Sequence, residues 1–350
     1  MKGNENDPSE NIRPPRLRDP LKQPPWRTII PGIALLLLVL TPYAVWSPGA
    51  KVIDGSHDRG TNAIWLQHGW LADDAWLARN GRDPRAFRDT PRMEDLRQLV
   101  GQHRIRYLFP HACPCSPNGT ISPIDETQTE AFLDAFADFS VTPWIGGVLN
   151  KQCFPDDPDW RSNFVHSASA MLERHPRMRG VQVNIEPMPS GNPAFITLLA
   201  ELKATLPEGK ILSIAAYPPP TRWHDFDDVH WDQAYYTQIA EHADQLAVMM
   251  YDTAAHHTKL YEHIMTNWTE QLLTWVPNTD ILLGIPTYDD ADTGYHDPKV
   301  ENLRHGLRGI HAGLNRFKHL PNAYRGVALY CEWEMDPAEW AYYREHFLER

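Results

Sequence analysis

Positive charge is scarce in this chain. Its 350 residues carry 33 Lys and Arg against 45 Asp and Glu, a formal charge of −12. Residues 1–27 hold six of the basic and four of the acidic residues, so the rest of the chain, 27 basic against 41 acidic, stands at −14. Such a balance leaves little with which to neutralise phosphates, and it excludes a nucleic-acid partner. Cysteine is sparse too, with only Cys113, Cys115, Cys153 and Cys331. The run His111-Ala-Cys113-Pro-Cys115 hints at zinc, but no second ligand pair has suitable spacing, and no metal is expected. Asp289, Asp290 and Asp292 likewise lack the spacing of a calcium loop. No Gly-x-Gly-x-x-Gly occurs, which removes the dinucleotide turn, and no cofactor is implied. There is no internal repeat.

Long hydrophobic runs are limited to residues 28–46, which contain no charge and centre on Ile33–Leu40. As a helix those residues rise roughly 28 Å, about one bilayer core. Arg27 and the basic residues upstream favour a cytoplasmic N-terminus, with Tyr43 and Trp46 at the far interface. A cleaved signal peptide is the competing reading. The long polar stretch before the run, and the lack of a small-x-small site after it, favour an uncleaved anchor. Residues 1–27, with six prolines and frequent charge, read as a disordered cytoplasmic tail. Residues 47–60 then form a linker, and 61–350 one domain on the periplasmic or other extracytoplasmic side. In that compartment a disulfide is permitted, and Cys153 with either Cys113 or Cys115 is the expected pair.

From residue 61 short apolar runs alternate with helical patterns. Strands are predicted at 62–69, 105–111, 141–148, 180–186, 211–217, 245–251, 280–287 and 325–333. Helices are predicted at 92–103, 126–138, 160–175, 192–206, 233–243, 259–276, 300–317 and 336–349. This alternation implies a parallel sheet with right-handed crossovers. Eight units over this length fit an α/β protein of the (β/α)8 TIM-barrel class better than an open doubly wound sheet. Extra length after strands 1, 2, 3, 5 and 7 would gather at the catalytic mouth, where long loops build substrate grooves.

The fourth strand is the most telling. In Gly180-Val-Gln-Val-Asn-Ile-Glu-Pro187, Val181, Val183 and Ile185 point one way, and Gln182, Asn184 and Glu186 the other. Three polar side chains on one face of an apolar strand are costly unless that face lines a site. Pro187 ends the strand and leaves Glu186 at its carboxyl end, where barrel enzymes carry catalytic groups.

These residues resemble the glycoside hydrolase family 18 barrel, the chitinases and related β-N-acetylglucosaminidases. That family carries Asp-Gly-x-Asp-x-Asp-x-Glu on its fourth strand, and the same frame here reads Arg179-Gly-Val-Gln182-Val-Asn184-Ile-Glu186. Trp144-Ile-Gly146-Gly147 is similar to the third-strand Ser-x-Gly-Gly, and Met249-Met-Tyr251-Asp252 to the sixth-strand Met-x-Tyr-Asp. Gly284-Ile-Pro286-Thr-Tyr288 matches the seventh-strand Gly-x-Pro-x-Tyr, and Trp333 stands where an eighth-strand tryptophan is expected. Three family aspartates are replaced by Arg179, Gln182 and Asn184. The Asn-x-Glu pair resembles the endo-β-N-acetylglucosaminidases of family 85.

The resemblance implies a retaining glycosidase in which the substrate's own acetamide attacks the anomeric carbon. Glu186 would be the acid and base, with Asn184 and Tyr251 managing the acetamide. Gln182, Asp252, Trp333, Tyr288, Trp65 and Tyr217 are candidate sugar contacts, with Trp70 and Trp223 as further stacking platforms. The implied partner is an oligosaccharide or polysaccharide containing β-linked N-acetylhexosamine. Two rivals remain: a noncatalytic saccharide-binding barrel, and a barrel hydrolase taking a second carboxylate from Glu332, Glu334 or Asp252.

Overall fold

The computed structural model describes residues 26–51, 54–71, 73–121, 124–222, 226–291 and 294–349. The chain divides into two units, residues 1–47 and 48–350. In the first, helix α1 (Trp26–Val45) begins two residues before the expected span and accommodates Pro31 and Pro42. Among the described residues no helix is long and apolar enough to cross a membrane. Within α1 the side chains of residues 26–29, 34–37, 39 and 40 lie outside that description, as does most of the expected tail.

The second unit is a curled, wholly parallel sheet ringed by helices. Its strands are β1 (Asn62–Leu66), β2 (Ile105–Pro110), β3 (Ser140–Val141), β4 (Trp144–Val148) and β5 (Gly180–Glu186). β6 (Ile211–Ala216), β7 (Gln245–Val248), β8 (Asp280–Pro286) and β9 (Tyr324–Tyr330) complete it, in the order β3-β2-β1-β9-β8-β7-β6-β5-β4. Eight strands were expected and nine segments are present, because the third divides. Pro143 has no N–H for the ladder, so β3 pairs with β2 while β4 pairs with β5. The Ala112 amide donates to the Trp144 carbonyl at 3.0 Å, and the Arg179 amide to the Val141 carbonyl at 2.7 Å. Those bonds join the two ends of the sheet into a barrel.

A short helix, α2 (Asp74–Arg79), sits in the first mouth loop. The barrel helices are α3 (Thr90–Gln102), α4 (Glu126–Ala135), α5 (Pro158–Arg174), α6 (Pro193–Thr205), α7 (Gln233–Ala240), α8 (Thr258–Trp275), α9 (Leu303–Leu314) and α10 (Pro337–His346). Their starts follow from capping chemistry. Asp125, Asp157, Asn192, Asp232, Asn302 and Asp336 each accept a first-turn backbone N–H. Pro158, Pro193 and Pro337 occupy the opening turn, where a missing N–H costs nothing.

Strand alternation sorts side chains into two cores. Val181, Val183 and Ile185 pack outward against the helices, while Ala63, Trp65, Phe109, Trp144, Ala247, Leu282 and Ala328 fill the lumen. A polar ladder crosses that lumen. Trp65 Nε1 donates to Gln182 Oε1 at 2.7 Å, Gln182 Nε2 to Ser213 Oγ at 3.3 Å, and Ser213 Oγ to Gln245 Oε1 at 2.9 Å. Leaving one such buried group unpaired costs about 1–3 kcal/mol, so this ladder is what makes inward Gln182 tolerable. Gln182 is fully buried by it, and its expected role as a sugar contact is corrected to that of a floor residue.

Candidate active site

Glu186 ends β5 at the mouth, directly above Asn184 on the lumen face. Gly146, with φ +132°, lies opposite Asn184, and a Cβ there would meet the Asn184 carbonyl oxygen at 2.0 Å. Glycine at 146 is therefore required for β4 to approach the acid-bearing strand this closely. Asn184 Nδ2 donates to Glu186 Oε1 at 2.8 Å, and the Tyr217 hydroxyl, just past β6, donates to Glu186 Oε2 at 3.1 Å. Both partners are neutral. Burial raises the Glu186 pKa above its ordinary value and the Asp252 charge adds to the rise, while the two hydrogen bonds oppose it. A carboxyl held in this way keeps its proton to higher pH, as a general acid requires.

Asn184 is only 7% exposed, and its Oδ1 has no hydrogen-bond partner. With Nδ2 committed to Glu186, the acceptor Oδ1 is left unpaired beneath the cavity, beside the Glu186 that lines it. Tyr251 follows β7, and its ring stacks on Tyr330 at 5.3 Å and 17°. Burial pushes the Tyr251 phenol well up, so its hydroxyl stays protonated. Asp252 adopts φ +59° and accepts from the Tyr288 hydroxyl.

Glu186, Tyr217, Tyr251 and Asp252 border a cavity of about 550 Å³, which is a size suited to a small ligand. Its rim carries Val148, Phe226 and Tyr295, which are 44%, 59% and 53% exposed. The described lining residues include no Lys or Arg.

Several expected contacts lie elsewhere. Trp65 is buried in the lumen beneath Tyr330, at 5.7 Å, and Trp70 packs edge-on against Phe87; neither is a platform. Trp223 and Asp292 fall outside the described residues. Tyr288 supports Asp252 and stacks on His296 rather than lining the cavity. Trp333 does not line the cavity. β9 ends at Tyr330, Leu329 faces the helices, and Tyr330 takes the inward position with Trp333 edge-on to it at 5.6 Å. The parity of Ala328 and Tyr330 was the available signal. Phe226 and Tyr295 were also missed, although both sit in mouth loops long enough to suggest a rim. The expected disulfide is not formed. All four thiols are free, with Cys115 and Cys153 Sγ atoms facing at 3.6 Å, far beyond bonding distance. Among the described residues no group of three or more His, Cys, Asp or Glu is arranged to hold a metal.

The profile of the family described as "Glycosyl hydrolases family 18" matches residues 105–345. The chain belongs to that family. It is accordingly a glycoside hydrolase, acting on polysaccharide-type substrates. Among curated proteins none matches it. Similar solved structures include the spore cortex-lytic enzyme SleL of Bacillus megaterium, at 15% identity over 84% of this chain and 76% of that one, with a TM-score of 0.56. SleL of Bacillus cereus follows at 12% identity, covering 85% and 75%, with a TM-score of 0.57. A chitinase from Chromobacterium violaceum is 15% identical, covering 83% and 99%, with a TM-score of 0.55. At such identities the likeness shows a shared barrel fold.

One consequence concerns Tyr217. Its hydrogen bond lowers the Glu186 pKa, so Tyr217→Phe is expected to raise it. The alkaline limb of kcat/KM, where the free enzyme loses its acid proton, then moves to higher pH. A pH–rate series of both proteins measures this, and an unmoved limb contradicts the contact.

Proposed function

We propose that the chain is a retaining glycosidase that cleaves β-linked N-acetylhexosamine glycans by substrate assistance, with Glu186 as acid and base. The observation that carries this is Asn184, buried beside Glu186 with a free acceptor oxygen. In the first step the Glu186 carboxyl protonates the glycosidic oxygen as that bond to the anomeric carbon breaks. The acetamide oxygen of the same sugar closes onto the anomeric carbon. Asn184 Oδ1 accepts the amide N–H, and the Tyr251 hydroxyl donates to the acetamide oxygen, steadying the charge that develops. In the second step the Glu186 carboxylate takes a proton from water, which attacks the anomeric carbon and reopens the ring. Two inversions give net retention, so no second protein carboxylate is needed at the ~5–5.5 Å of other retaining enzymes.

A lining with two carboxylates and no Lys or Arg suits a neutral sugar, and exposed Phe226 and Tyr295 offer faces for the C–H groups of a pyranose. The test is turnover of chitin- and peptidoglycan-type oligomers, with the first-formed anomer followed by proton NMR. The β anomer from a β-linked substrate supports the reading, and the α anomer overturns it.

The reading extends to location: residues 28–46 anchor the chain, with the barrel outside the cytoplasm. The uncharged run and the basic residues before it support this. The full chain is expected in the membrane fraction and resistant to carbonate extraction, while a chain beginning at residue 48 is released. Extraction of the full chain by carbonate overturns the anchor.

A further inference from the structure

At the cavity wall, titratable side chains from three separate segments meet. Asp252 follows β7, His296 lies in the loop after β8, and Glu301 precedes α9. His296 Nδ1 stands 3.5 Å from Asp252 Oδ1 and 3.8 Å from Glu301 Oε2; the His296 and Glu301 side chains are 0% exposed, and that of Asp252, facing the cavity, is 35% exposed. The other ring nitrogen, Nε2, faces the Tyr288 carbonyl at 3.1 Å. A carbonyl can only accept, so Nε2 carries a hydrogen. The Tyr288 ring stacks on the imidazole at 4.1 Å and 21° and fixes its plane.

The carboxylates have already taken donors on their other sides. The Tyr288 hydroxyl donates to Asp252. The Thr253 amide donates to both Glu301 oxygens at 3.1 Å, and Thr253 Oγ1 donates to Oε1 at 2.9 Å. His296 Nδ1 itself makes no hydrogen bond. If Nδ1 were a bare lone pair, three acceptors would face one another with no hydrogen between them, two of them buried, an arrangement that is unfavourable. A proton in that gap resolves the conflict and leaves the cluster with one net negative charge instead of two.

The other titratable groups facing the cluster are Tyr288 and Asp290 from the loop after β8, Tyr261 from α8, Tyr217 after β6, Tyr251 beside Asp252, Tyr330 at the end of β9, and Glu186 across the cavity. Tyr261 is committed as a donor to the Met250 carbonyl at 3.1 Å. Burial pushes Glu301 up to about 7, consistent with a proton retained in the cluster at neutral pH. Asp252 and Ala254 both have positive φ, +59° and +50°, so this segment must be held in place by its contacts.

We propose that His296 is a positioning residue of the hydrolytic reaction: by keeping one proton between Asp252 and Glu301, it holds Asp252 at the cavity edge beside Glu186. This rests on the glycosidase reading given above. Without the imidazole, the buried Glu301 carboxylate repels that of Asp252, and Asp252 leaves its place. A falling pH repairs the defect, because the carboxylate pair then takes up a proton of its own.

The experiment compares full-length wild type with His296→Gln, Glu301→Gln and the double variant, by kcat/KM and by thermal melting at pH 5 and pH 8. Relative to wild type at the same pH, His296→Gln is expected to lose about 10²-fold in kcat/KM at pH 8, the scale of a misplaced binding group, and markedly less at pH 5. Its melting temperature falls more at pH 8 than at pH 5. The double variant, which removes one charge of each sign, recovers most of both losses; a role in shape alone gives no such recovery. Equal losses at both pH values, or a double variant no better than His296→Gln, overturn the proposal. If the wild type turns over no glycan, the catalytic reading fails and the positioning role with it, while the melting series still decides whether the gap holds a proton. Glu301→Gln, which conserves shape, carries the comparison if His296→Gln alone does not fold.

Discussion

Glu186→Gln is expected to lower kcat/KM by at least ~10²-fold, the scale for removing a general acid, with the folded barrel intact. Gln keeps the shape of the side chain and can still meet Asn184 and Tyr217, but it has no proton to give the leaving oxygen. The burial that raises the Glu186 pKa acts on a charge that Gln lacks, so stability should hold or rise slightly. Rates on substrates of graded leaving-group acidity sharpen the test. An aryl glycoside with a good leaving group needs little protonation, so the loss should be smaller there than on a sugar–sugar bond. A uniform loss across that series, or none, contradicts the acid role.

Asn184→Ala carries the second large effect. It removes a donor from Glu186 and the acceptor meant for the acetamide N–H. Loss of one group that steadies a developing charge costs about 10²–10³ in kcat, and the same scale is expected here. The loss should fall on kcat more than on KM, because the contact tightens as the acetamide oxygen closes on the anomeric carbon. Asn184→Asp provides the contrast. A carboxylate in van der Waals reach of Glu186 raises the Glu186 pKa, so activity should persist with its alkaline limb at higher pH. An Asn184→Ala enzyme with wild-type kcat would remove the residue from the mechanism.

The barrel was legible in the sequence because its signals are local. Period-two apolar runs marked every strand to within a few residues, and apolar stripes at helical spacing marked the helices as closely. β5 was read correctly in both span and facing, since Val181, Val183 and Ile185 alternate with polar residues that few other strands place inward. Elsewhere the same logic slipped. Pro143 divided the third strand, and in the eighth the small residues Gly326 and Ala328 marked the lumen face, placing Tyr330 rather than Trp333 on it. Trp65 was read as a sugar contact, and its depth in the lumen depends on packing across the whole ring.

The contacts that tune the site were not legible. Tyr217 was marked as a sugar platform, yet it reaches Glu186 thirty-one positions away in the chain. His296 sits in a loop with no periodicity, Glu301 falls just before α9 rather than inside the helix predicted from residue 300, and only the return of the chain through β8 and its loop brings them to Asp252. The cysteines show the converse: neighbouring loops correctly suggested proximity for Cys115 and Cys153, but proximity is not a bond.

The most direct measurement compares two aryl β-glycosides that differ only at C2, one with an acetamide and one with a hydroxyl. If the acetamide is the nucleophile, the acetamido substrate is cleaved in a Glu186-dependent reaction and the hydroxyl substrate is not cleaved above background. Comparable turnover of both would contradict substrate assistance and point to a nucleophile supplied by the protein.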